Sequence, residues 1–510
     1  MMFLFFCYFI TCFALTNYSN DITETQFFMN YFLKLFFLAI TVLLFNCTQP
    51  IKESRDNNKG TIVEAPVEFD LAKIKERGSL RALVDNSSTS YFIYKGQLMG
   101  YEYELLTLLA KSLNVDLDII VKKSIDDAFQ SLNKGEGDII AFTLTVTKER
   151  QERVAFTHSH YTTRQVLVQK KPENWRNMKI HETEKLLLRN QVDLIGEEVH
   201  VRKSSSYVNR LNNLSEEIGG DIVVVEDQRE VETELMIKKV SDGEIKYTIA
   251  DEDIALVNAS YYANIDINTP ISFPQQIAWG VRKNANDLLF AINNWQQQLK
   301  KESTYNVIYN KYFKSPRASK TRQSSDFSSI SGDKISIYDD IIKQAADSLG
   351  WDWRLLAAQI YQESAFDPNE TSWAGAVGLM QLMPETGKRY HLKNFTNPKQ
   401  NIMAGMEHVK HLNSLWSKTV HNKQDRIKFV LASYNVGLGH VVDARDLAIK
   451  YGKNPLVWED NVAVYLLNKS QSKYFTDEVV KSGYCRCEEP VNYVKNVLSR
   501  YEKYKQLMEE

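Results

Sequence analysis

Cysteine and net charge are two things this 510-residue sequence has little of. It holds five cysteines, and 62 basic side chains nearly cancel 64 acidic ones, which leaves a formal charge of −2. So few cysteines exclude a small fold held together by disulfide bonds. The lack of a basic excess argues against nucleic-acid binding, so no nucleic-acid partner is predicted. The apolar fraction, 44%, is typical of globular proteins and excludes a disordered chain.

Motifs for several common chemistries are also missing. The sequence contains no glycine-rich phosphate-binding loop and no supported Ser-His-Asp arrangement. His158 and His160 have no third ligand nearby, so we predict no metal and no other cofactor. At roughly 100–200 residues per domain, the length predicts two to four domains rather than one core.

Apolar runs long enough to span a membrane are absent too. Two runs near the amino terminus, Phe3–Leu15 and Leu35–Phe45, are both shorter than the ~20 residues that a spanning helix needs. The second run follows Lys34 and ends before Cys47, in the order of a secretory signal. It resembles a bacterial lipoprotein signal, which implies a lipid on Cys47, although Asn46 stands where a small residue is usual. An uncleaved anchor helix is the alternative.

Either reading places the rest of the chain outside the cytoplasm. The first run has no positively charged start, so we expect translation to begin at Met29. Residues 1–47 are then an export segment and residues 48–70 a polar tether. We expect the lipid to hold the protein on the periplasmic side of the cell envelope, at the outer membrane. Cys485 and Cys487 remain in the folded part, and we expect free thiols because they stand too close for an ordinary disulfide.

Strand and helix patterns alternate from residue 71 to residue 313. Leu80–Val84 and Leu117–Val121 are β-branched or leucine-rich runs typical of strands, whereas Tyr103–Leu113 has one apolar face of leucines. This alternation predicts an α/β domain with mainly parallel sheets. The serine-rich stretch 314–332 predicts a solvated linker, because it has too few apolar residues for a core. From 333 to 510 amphipathic spacing, as in Ile402–Leu415, predicts an all-α domain.

Glu363 is the most informative residue of the helical domain. It lies on the apolar face of a predicted helix, three residues after Ile360 and seven after Leu356. Burial disfavours the charged form of a carboxyl group, so the pKa of Glu363 should rise. A carboxyl of raised pKa at a cleft edge suits a general acid that protonates a glycosidic oxygen. From the residue alone, a paired structural glutamate is the alternative.

The surrounding motifs resemble those of the family-1 lytic transglycosylases over roughly residues 336–500. The matching motifs, in chain order, are Glu363-Ser364, Gly378-Leu379-Met380-Gln381, Ala432-Ser433-Tyr434-Asn435 and the late Tyr493. Ser433 departs from the alanine usual at its position. The resemblance implies a lysozyme-like fold.

The same resemblance implies a peptidoglycan-cleaving reaction with Glu363 as the sole acid/base. Glu363 would protonate the oxygen between N-acetylmuramic acid and N-acetylglucosamine, and then help the muramoyl 6-hydroxyl close onto C1 as a 1,6-anhydro sugar. The residues implied to shape the site and hold the glycan strand are Ser364, Met380, Gln381, Tyr434, Asn435 and Tyr493. Taken alone, Met380 could line the core and Tyr434 could be a packing aromatic. Gly375 and Gly378 are expected to serve a turn.

Two alternative functions stay open at this point. An inverting lysozyme-type muramidase needs a second carboxylate roughly 6.5–9.5 Å from the first. Asp352, Asp367 and Glu385 are nearby in the sequence, but none belongs to a matching motif. The other alternative is a non-catalytic receptor that only binds peptidoglycan or a solute.

Residues 71–313 resemble the family-3 solute-binding proteins, which implies a two-lobed periplasmic-binding-protein fold of the α/β class. The resemblance is carried by Tyr91-Phe92, Gly100–Leu105, Gly137–Arg150 and Val154–Tyr161. Followed by the helical domain, this order is similar to that of the membrane-bound lytic transglycosylase F family.

The second resemblance implies a binding site for a small amino acid or a cell-wall peptide. Arg150 would grip the ligand carboxylate with Thr145 beside it, Asp251 would take the ammonium group, and Tyr91 would belong to the same site. A role for Thr143 stays open. Arg150 could instead form a surface ion pair with a neighbouring glutamate. The fused domain order suggests that the ligand tunes murein cleavage.

Overall fold

The computed structural model describes residues 66–228, 231–323, 325–330 and 334–508. The predicted export segment, with Met29 and Cys47, lies outside the described residues. Within the described ranges, no helix combines the length and the apolar character needed to cross a membrane.

Strands and helices alternate through the α/β region, as the sequence predicts. The strands are β1 (Ser79–Val84), β2 (Phe92–Tyr94), β3 (Gln97–Met99), β4 (Asp116–Val121), β5 (Ile139–Ile140), β6 (Ala155–Phe156), β7 (Tyr161–Thr163), β8 (Gln165–Lys170), β9 (Glu198–Arg202), β10 (Val223–Asp227), β11 (Tyr247–Asp251), β12 (Ile265–Pro270), β13 (Gln275–Ile277) and β14 (Gly280–Val281). The helices are α1 (Leu71–Arg77), α2 (Tyr101–Leu113), α3 (Ile125–Asn133), α4 (Lys148–Arg153), α5 (Ile180–Lys185), α6 (Ser206–Ile218), α7 (Thr233–Asp242), α8 (Glu252–Ala259), α9 (Asn286–Leu299) and α10 (Ser303–Phe313).

Two five-stranded sheets divide this region into two lobes. Their strand orders are β4-β1-β5-β14-β6 and β10-β9-β11-β8-β12. In the first sheet, β4 and β5 run parallel to β1, whereas β14 pairs antiparallel with β5 and β6. In the second sheet, β10 and β11 run parallel to β9, whereas β8 pairs antiparallel with β11 and β12. The sheets are therefore mixed, and the prediction of mainly parallel sheets is wrong.

The antiparallel strands mark where the chain crosses between the lobes. It leaves the first lobe after β6 and enters the second at β8, then leaves after β12 and returns at β14. The two crossing segments, β7 and β13, pair with each other as an antiparallel ribbon. In this chain the strands on which it enters or re-enters a sheet, β8 and β14, run antiparallel to their neighbours, which the strand–helix alternation alone does not reveal.

Helices make up the carboxyl-terminal region, and the predicted helices there are confirmed. They are α11 (Pro316–Gln323), α12 (Asp339–Leu349), α13 (Trp353–Ser364), α14 (Pro384–Arg389), α15 (Pro398–Ser417), α16 (Lys423–Val436), α17 (Leu438–Lys450), α18 (Ala463–Asn468), α19 (Ser472–Phe475) and α20 (Glu488–Leu507).

The serine-rich stretch is not the solvated linker that its composition predicts. Helix α11 lies within it, and Ser319 and Arg322 are buried. Arg322 donates to the carbonyl oxygen of Lys311 at 3.0 Å, and the backbone N–H of Ser329 donates to Ile93 of β2 at 3.0 Å. The stretch is packed through hydrogen bonds of small polar side chains and of the backbone. The prediction of a linker relied on the low number of apolar residues, so it could not detect this packing.

Cys485 and Cys487 are joined by a disulfide bond, so the expectation of free thiols is wrong. Both side chains are buried. Their Cα atoms lie 5.1 Å apart, which is within the range that disulfides span, even though one residue separates them in sequence.

The α/β and helical regions share one contiguous apolar core, to which Leu105 and Leu356 both belong. The turn between β2 and β3 touches helix α20, because Tyr504 Oη and Arg500 Nη1 donate to the carbonyl oxygen of Gly96 at 2.7 and 3.2 Å. Gly96 has a φ of +75°, and a Cβ there would lie 2.5 Å from the ring of Phe366. The close approach of the two regions therefore requires glycine.

Candidate functional site

Helix α13 carries Glu363 one residue before its end. Asp352 caps its start, with the side chain accepting from the N–H of Arg354 at 2.9 Å. Ala365 ends the helix in the left-handed conformation, with a φ of 49°. Leu356 and Ile360, on the same face as Glu363, are fully buried, while Glu363 itself is half-buried. The helix thus places the carboxyl group at the edge between core and solvent.

Glu363 has the raised pKa that the sequence predicts. Burial, with a smaller contribution from the charge of Glu489, raises the pKa of Glu363 from its usual 4.5 to about 7. Tyr493 Oη donates to Glu363 Oε1 at 2.5 Å and opposes the rise, because the bond stabilises the carboxylate. Near neutral pH both forms of Glu363 are populated. The same group can therefore give a proton in one step and take one in the next.

The Gly-Leu-Met-Gln loop is tied to the end of this helix. Ser364 is buried, and its Oγ donates to the carbonyl oxygen of Leu379 at 2.9 Å. Gln381 has a φ of 46°, and its Nε2 donates at 3.0 Å to the carbonyl oxygens of Glu370 and Gly378. Ser364 and Gln381 therefore lie where they shape the loop beside Glu363.

Asn401 holds the same loop from behind, a role that the sequence reasoning missed. Its side chain is fully buried. Its Nδ2 donates to the carbonyl oxygens of Val377 at 3.0 Å and Phe395 at 2.9 Å, and its Oδ1 accepts from the N–H of Met380 at 2.7 Å. The sequence did hold one sign of this role, because Asn401 is a polar residue directly before the predicted amphipathic helix Ile402–Leu415.

Tyr434 and Met380 are brought together by a hydrogen bond from Tyr434 Oη to the carbonyl oxygen of Met380, at 2.6 Å. The side chain of Met380 is fully buried in the core, so the core-lining reading of that side chain is confirmed. Burial raises the pKa of Tyr434, and the charge of Glu363 adds to the rise, which places the two groups near each other. Asn435 follows on the same helix and is half-buried.

Asp352, one of the candidate second carboxylates, lies far from Glu363, and the other two, Asp367 and Glu385, lie at the surface. Asp352 caps the opposite end of α13, about 16 Å away at 1.5 Å per residue, and pairs with Arg354 at 2.8 Å. The carboxyl whose charge acts on Glu363 is Glu489, in the first turn of α20, which the sequence reasoning did not nominate.

A second candidate site lies in the cleft between the two lobes of the α/β region. The empty space of this cavity, counted together with its open mouth, is about 520 Å³. Residues at the carboxyl ends of strands line it, where α/β folds commonly bind ligands: Asp85 follows β1, Arg202 ends β9 and Asp251 ends β11. Of the predicted ligand residues, the lining includes Thr143, Thr145, Arg150 and Asp251.

Tyr91 is not among the residues that line this cavity. It is fully buried and packs against Tyr103, with ring centroids 5.3 Å apart. The charges of Arg500 and Tyr504 act on its pKa, so Tyr91 faces helix α20 rather than the cleft. The structure therefore does not bring Tyr91 to the predicted ligand site, whereas Asp85 and Ser87 of the same segment line it.

Arg150 and Asp251 offer a cation and a carboxyl group to a ligand. Arg150 is buried and its Nη1 donates to the carbonyl oxygen of Thr145 at 3.1 Å, so the alternative of a surface ion pair is wrong. Burial lowers the pKa of Arg150 to about 10, which leaves it cationic at neutral pH. Burial, helped by Asp253, raises the pKa of Asp251 to about 8, against the pull of Arg150. A guanidinium and a carboxyl group in one cavity suit a zwitterion.

Other charged residues of the lining were missed from sequence. Arg202 forms an ion pair with Glu232 at 2.7 Å. Glu234 Oε1 accepts from the Oγ and the N–H of Ser88 at 3.0 and 3.2 Å. Burial raises the pKa of both glutamates. Asp85 could have been nominated from the sequence, because it directly follows the predicted strand Leu80–Val84, and α/β folds bind ligands at the carboxyl ends of strands.

Two family descriptions match this chain. Bacterial extracellular solute-binding proteins, family 3, match residues 80–315, and the transglycosylase SLT domain matches residues 340–457. These matches confirm the predicted fold class, an α/β solute-binding region followed by a helical region.

Curated relatives match most of the chain. The membrane-bound lytic murein transglycosylase F of Desulfosudis oleivorans is 34% identical over 436 residues, which cover 86% of this chain and 92% of that protein. The protein of the same name from Pseudomonas fluorescens is 30% identical over 434 residues, covering 85% and 86%. Among solved structures, the P235GK mutant of ArgBP from T. maritima is 24% identical, with a TM-score of 0.41 and coverage of 48% of this chain and 100% of that one.

Proposed function

Because the chain belongs to the membrane-bound lytic murein transglycosylase F family, we propose that it cleaves peptidoglycan as a lytic transglycosylase. The bond cleaved is the β-1,4 bond between N-acetylmuramic acid and N-acetylglucosamine, and the product ends in 1,6-anhydro-N-acetylmuramic acid. The observation that carries the proposal is the half-buried Glu363, with a pKa of about 7 and a hydrogen bond from Tyr493.

In this mechanism Glu363 acts twice. The protonated carboxyl gives its proton to the glycosidic oxygen while the bond from that oxygen to C1 breaks. The carboxylate then takes the proton of the muramoyl 6-hydroxyl as that oxygen bonds to C1. The proton is restored to Glu363 and no water is consumed. A pKa near 7 suits a group that must be an acid first and a base next.

We assign supporting roles to the residues around Glu363. Tyr493 orients its carboxyl group, and Ser364 fixes the helix end to the loop. Met380 acts through its backbone carbonyl oxygen, which accepts a hydrogen bond from Tyr434, and its side chain does not reach the site. The residues assigned to shape the site and hold the glycan are Ser364, Met380, Gln381, Tyr434, Asn435 and Tyr493.

Digestion of murein sacculi by the full chain in detergent, with mass analysis of the released muropeptides, tests the reaction. We expect products with anhydro ends, and we expect Glu363→Gln to lower the rate by roughly 10²–10⁴-fold. Glu407→Gln, at an exposed glutamate of α15, is the matched control and should keep the wild-type rate. Products with reducing ends and no anhydro forms would contradict the proposal.

A lysozyme-type muramidase is the second candidate, favoured by the charge of Glu489 acting on Glu363. In that reaction Glu489 would activate a water molecule. Glu489→Gln separates the two candidates. A hydrolase would lose its activity, whereas a transglycosylase would stay active with a lowered pKa of Glu363.

We further propose that the α/β region binds a small amino acid or a cell-wall peptide and tunes the cleavage. Arg150 would take the ligand carboxylate, Thr145 would assist, and Asp251 would take the ammonium group. The support is a cavity between two lobes, whose closure a ligand would favour, and the core shared with the region that carries Glu363. Equal sacculus turnover by the wild type and Arg150→Ala, over a range of added cell-wall peptides, would contradict this regulation.

For the location we propose export and a lipid anchor on Cys47, at the outer membrane. The support is the signal-like order of residues 29–47 and the word membrane-bound in the names of the relatives. Of the predicted tether, residues 48–70, the last part is hydrogen-bonded to the folded region, with the N–H of Val67 donating to the carbonyl oxygen of Asn133 at 3.0 Å. The tether would therefore end before Val67, with 71–313 as the binding domain and 333–510 as the catalytic domain. We expect Cys47→Ala to abolish labelling by radioactive palmitate and to release the protein from the membrane fraction. Labelling that persists in the variant would contradict the assignment.

A further inference from the structure

Gln359 is a buried polar residue to which the proposed mechanism gives no role. It lies on α13, one helical turn before Glu363, and its side chain is fully buried. Leu355, one turn earlier again, is apolar and buried as well. Among the described residues, neither Oε1 nor Nε2 of Gln359 has a partner at full hydrogen-bond geometry. Burying an amide in this way is unfavourable, so packing alone does not explain a glutamine at this position.

Helix geometry brings the amide of Gln359 close to the carboxyl group of Glu363. Side chains four residues apart lie on the same face of an α-helix, with Cβ atoms roughly 5–6 Å apart. Helix α20 packs against α13, and its Tyr493 Oη donates to Glu363 Oε1 at 2.5 Å. The side chain of Tyr493 is itself buried. Gln359, Glu363 and Tyr493 are therefore polar neighbours between two packed helices.

A third contact within this group runs from Gln359 to Tyr493. Burial raises the pKa of Tyr493, the charge of Glu363 and its hydrogen bond add to the rise, and Gln359 opposes it. A neutral neighbour lowers the pKa of a phenol by donating to its oxygen, so the amide N–H of Gln359 faces Tyr493 Oη. The contact is more open than a full hydrogen bond. Rotation about the soft terminal bond of the glutamine side chain closes it.

A donor at Tyr493 Oη decides where the phenolic proton goes. The hydroxyl group has one proton to give, and its oxygen can also accept. When an N–H occupies the accepting side of the oxygen, the proton is left for Glu363. The same N–H polarises the O–H bond, because hydrogen bonds in a chain strengthen one another. Gln359 thus favours donation from Tyr493 to the carboxylate.

We propose that Gln359 is a positioning residue of the cleavage reaction, whose amide N–H donates to Tyr493 Oη and holds the Tyr493 hydroxyl aimed at Glu363. This inference rests on the proposed function of Glu363 as the acid/base. Gln359 does not touch the glycan and acts through Tyr493. It stabilises the carboxylate that Glu363 becomes after giving its proton to the glycosidic oxygen.

The other groups that act on Glu363 stay in place when Gln359 is replaced. They are Glu489 and Tyr493 on α20, and Tyr434 on α16, whose own pKa the charge of Glu363 raises. Helix α12 also packs against α13, and none of its described charges contributes to the pKa shift of Glu363. A substitution of Gln359 by an apolar residue therefore removes the donor to Tyr493 and leaves these charges unchanged.

Gln359→Met tests the proposal, because methionine keeps the length of the side chain and lacks the amide. Sacculus cleavage by the full chain in detergent is measured from pH 5 to pH 9. We expect the high-pH fall in kcat/KM to move up by roughly 0.3–1 pH unit. We also expect kcat to fall by about twofold to tenfold with KM unchanged, because a carboxyl group of higher pKa is a weaker acid.

Leu355→Met is the matched control, a change of similar volume in the buried part of the same helix, and should leave the profile in place. A purely structural role of Gln359 predicts a different result. The unfolding temperature of Gln359→Met would then change, and its pH profile would be that of the wild type, which overturns the proposal. Gln359→Leu, a second variant without the amide, should show the same upward shift as Gln359→Met.

A double variant tests whether Gln359 acts through Tyr493. In the Tyr493→Phe background there is no phenolic proton to position, so adding Gln359→Met should leave the pH profile of Tyr493→Phe unchanged. A further upward shift in the double variant would show that Gln359 acts on Glu363 without Tyr493, and would overturn the proposal.

Failure of this inference can be told apart from failure of the proposed function. A Glu363→Gln protein that still cleaves sacculi would overturn the function and this inference with it. Loss of cleavage in Glu363→Gln, together with a wild-type pH profile in Gln359→Met, would overturn the role of Gln359 alone.

Discussion

Tyr493 and Glu363 form the hydrogen bond on which ionisation of the proposed acid depends. Tyr493→Phe keeps the ring but removes the donor to the carboxylate, so the pKa of Glu363 should rise above about 7. Because the protonated form starts the reaction, we expect the high-pH fall in kcat/KM to move to higher pH. Sacculus cleavage measured from pH 5 to pH 9 checks this. Tyr484→Phe, at an exposed ring, should leave the profile in place.

Burial also makes Glu363 a source of instability at alkaline pH. Its pKa is about 7 in the folded state against 4.5 when unperturbed, so the folded protein holds the proton more tightly. Stability therefore falls as pH rises from about 4.5 to about 7 and stays lower above that range. We expect Glu363→Gln to stabilise the protein at pH 8 by about 1–3 kcal/mol, and to change little at pH 4. Calorimetric unfolding at both pH values measures this, and a lower Tm at pH 8 would contradict it.

Site residues could be predicted from the sequence where they belong to a short motif that matches a known family. Glu363, Ser364 and Tyr493 belong to matching motifs, and the structure places them around one carboxyl group and its loop. Asn401 and Glu234 have no such motif. Their partners come from distant parts of the chain, so only the folded structure reveals what they hold.

At the scale of an element, the Gly-Leu-Met-Gln loop and the turn just before it offer a matched pair of glycines. Gly375 and Gly378 have φ values of +88° and +87°, so alanine meets the same backbone strain at either position. A Cβ at Gly375 has nothing within 4 Å, whereas a Cβ at Gly378 would lie 2.3 Å from the carbonyl oxygen of Phe395.

We expect Gly375→Ala to lower the free energy of unfolding by about 1–2 kcal/mol. Gly378→Ala should lower it by at least about 2 kcal/mol more and reduce sacculus cleavage, because backbone and the buried Asn401 must move. Urea unfolding of both variants gives the comparison. Equal decreases in the free energy of unfolding would contradict this prediction, because the added Cβ at Gly378 would then cost nothing beyond the backbone strain.

Elements with strong periodicity were also the ones that the sequence predicted well. The helix at Pro398–Ser417 buries one face, which includes Ile402, Val409 and Trp416. The helix that bears Glu363 was predicted as well, although every residue from Arg354 to Ile360 is buried. Sheet direction was missed, because it depends on where the chain crosses between lobes. Helix Pro316–Gln323 was missed because its packing comes from Ser319 and Arg322 rather than from apolar side chains.

At the scale of the whole molecule, Gly96 forms the junction between the sensing and cleaving regions. A Cβ there would lie 2.8 Å from Tyr361, two residues ahead of Glu363, and closer still to Phe366. Gly78 has a nearly equal φ, +76° against +75°, and open space around it. The Gly78→Ala variant therefore measures the cost of the backbone strain without a steric clash.

We expect Gly96→Ala to lower the unfolding temperature and the rate of sacculus cleavage further than Gly78→Ala does. The additional loss arises because the hairpin must withdraw from the helix that carries Glu363. Thermal unfolding and cleavage assays of both variants measure it. Equal unfolding temperatures and equal cleavage rates for the two variants would contradict this prediction, because the hairpin contact would then not be needed to join the two regions.

The pairing of residues 325–330 with the α/β region has a consequence for how such a protein can evolve. Ser328 and Ser329 pair with the hairpin of the α/β region, although they stand just before the helical region in the chain. A recombination event that cut the gene at this stretch would leave the hairpin without its neighbour. An α/β region exchanged during evolution would therefore need residues 325–330 from the same parent, because Ser328 and Ser329 pair with its hairpin.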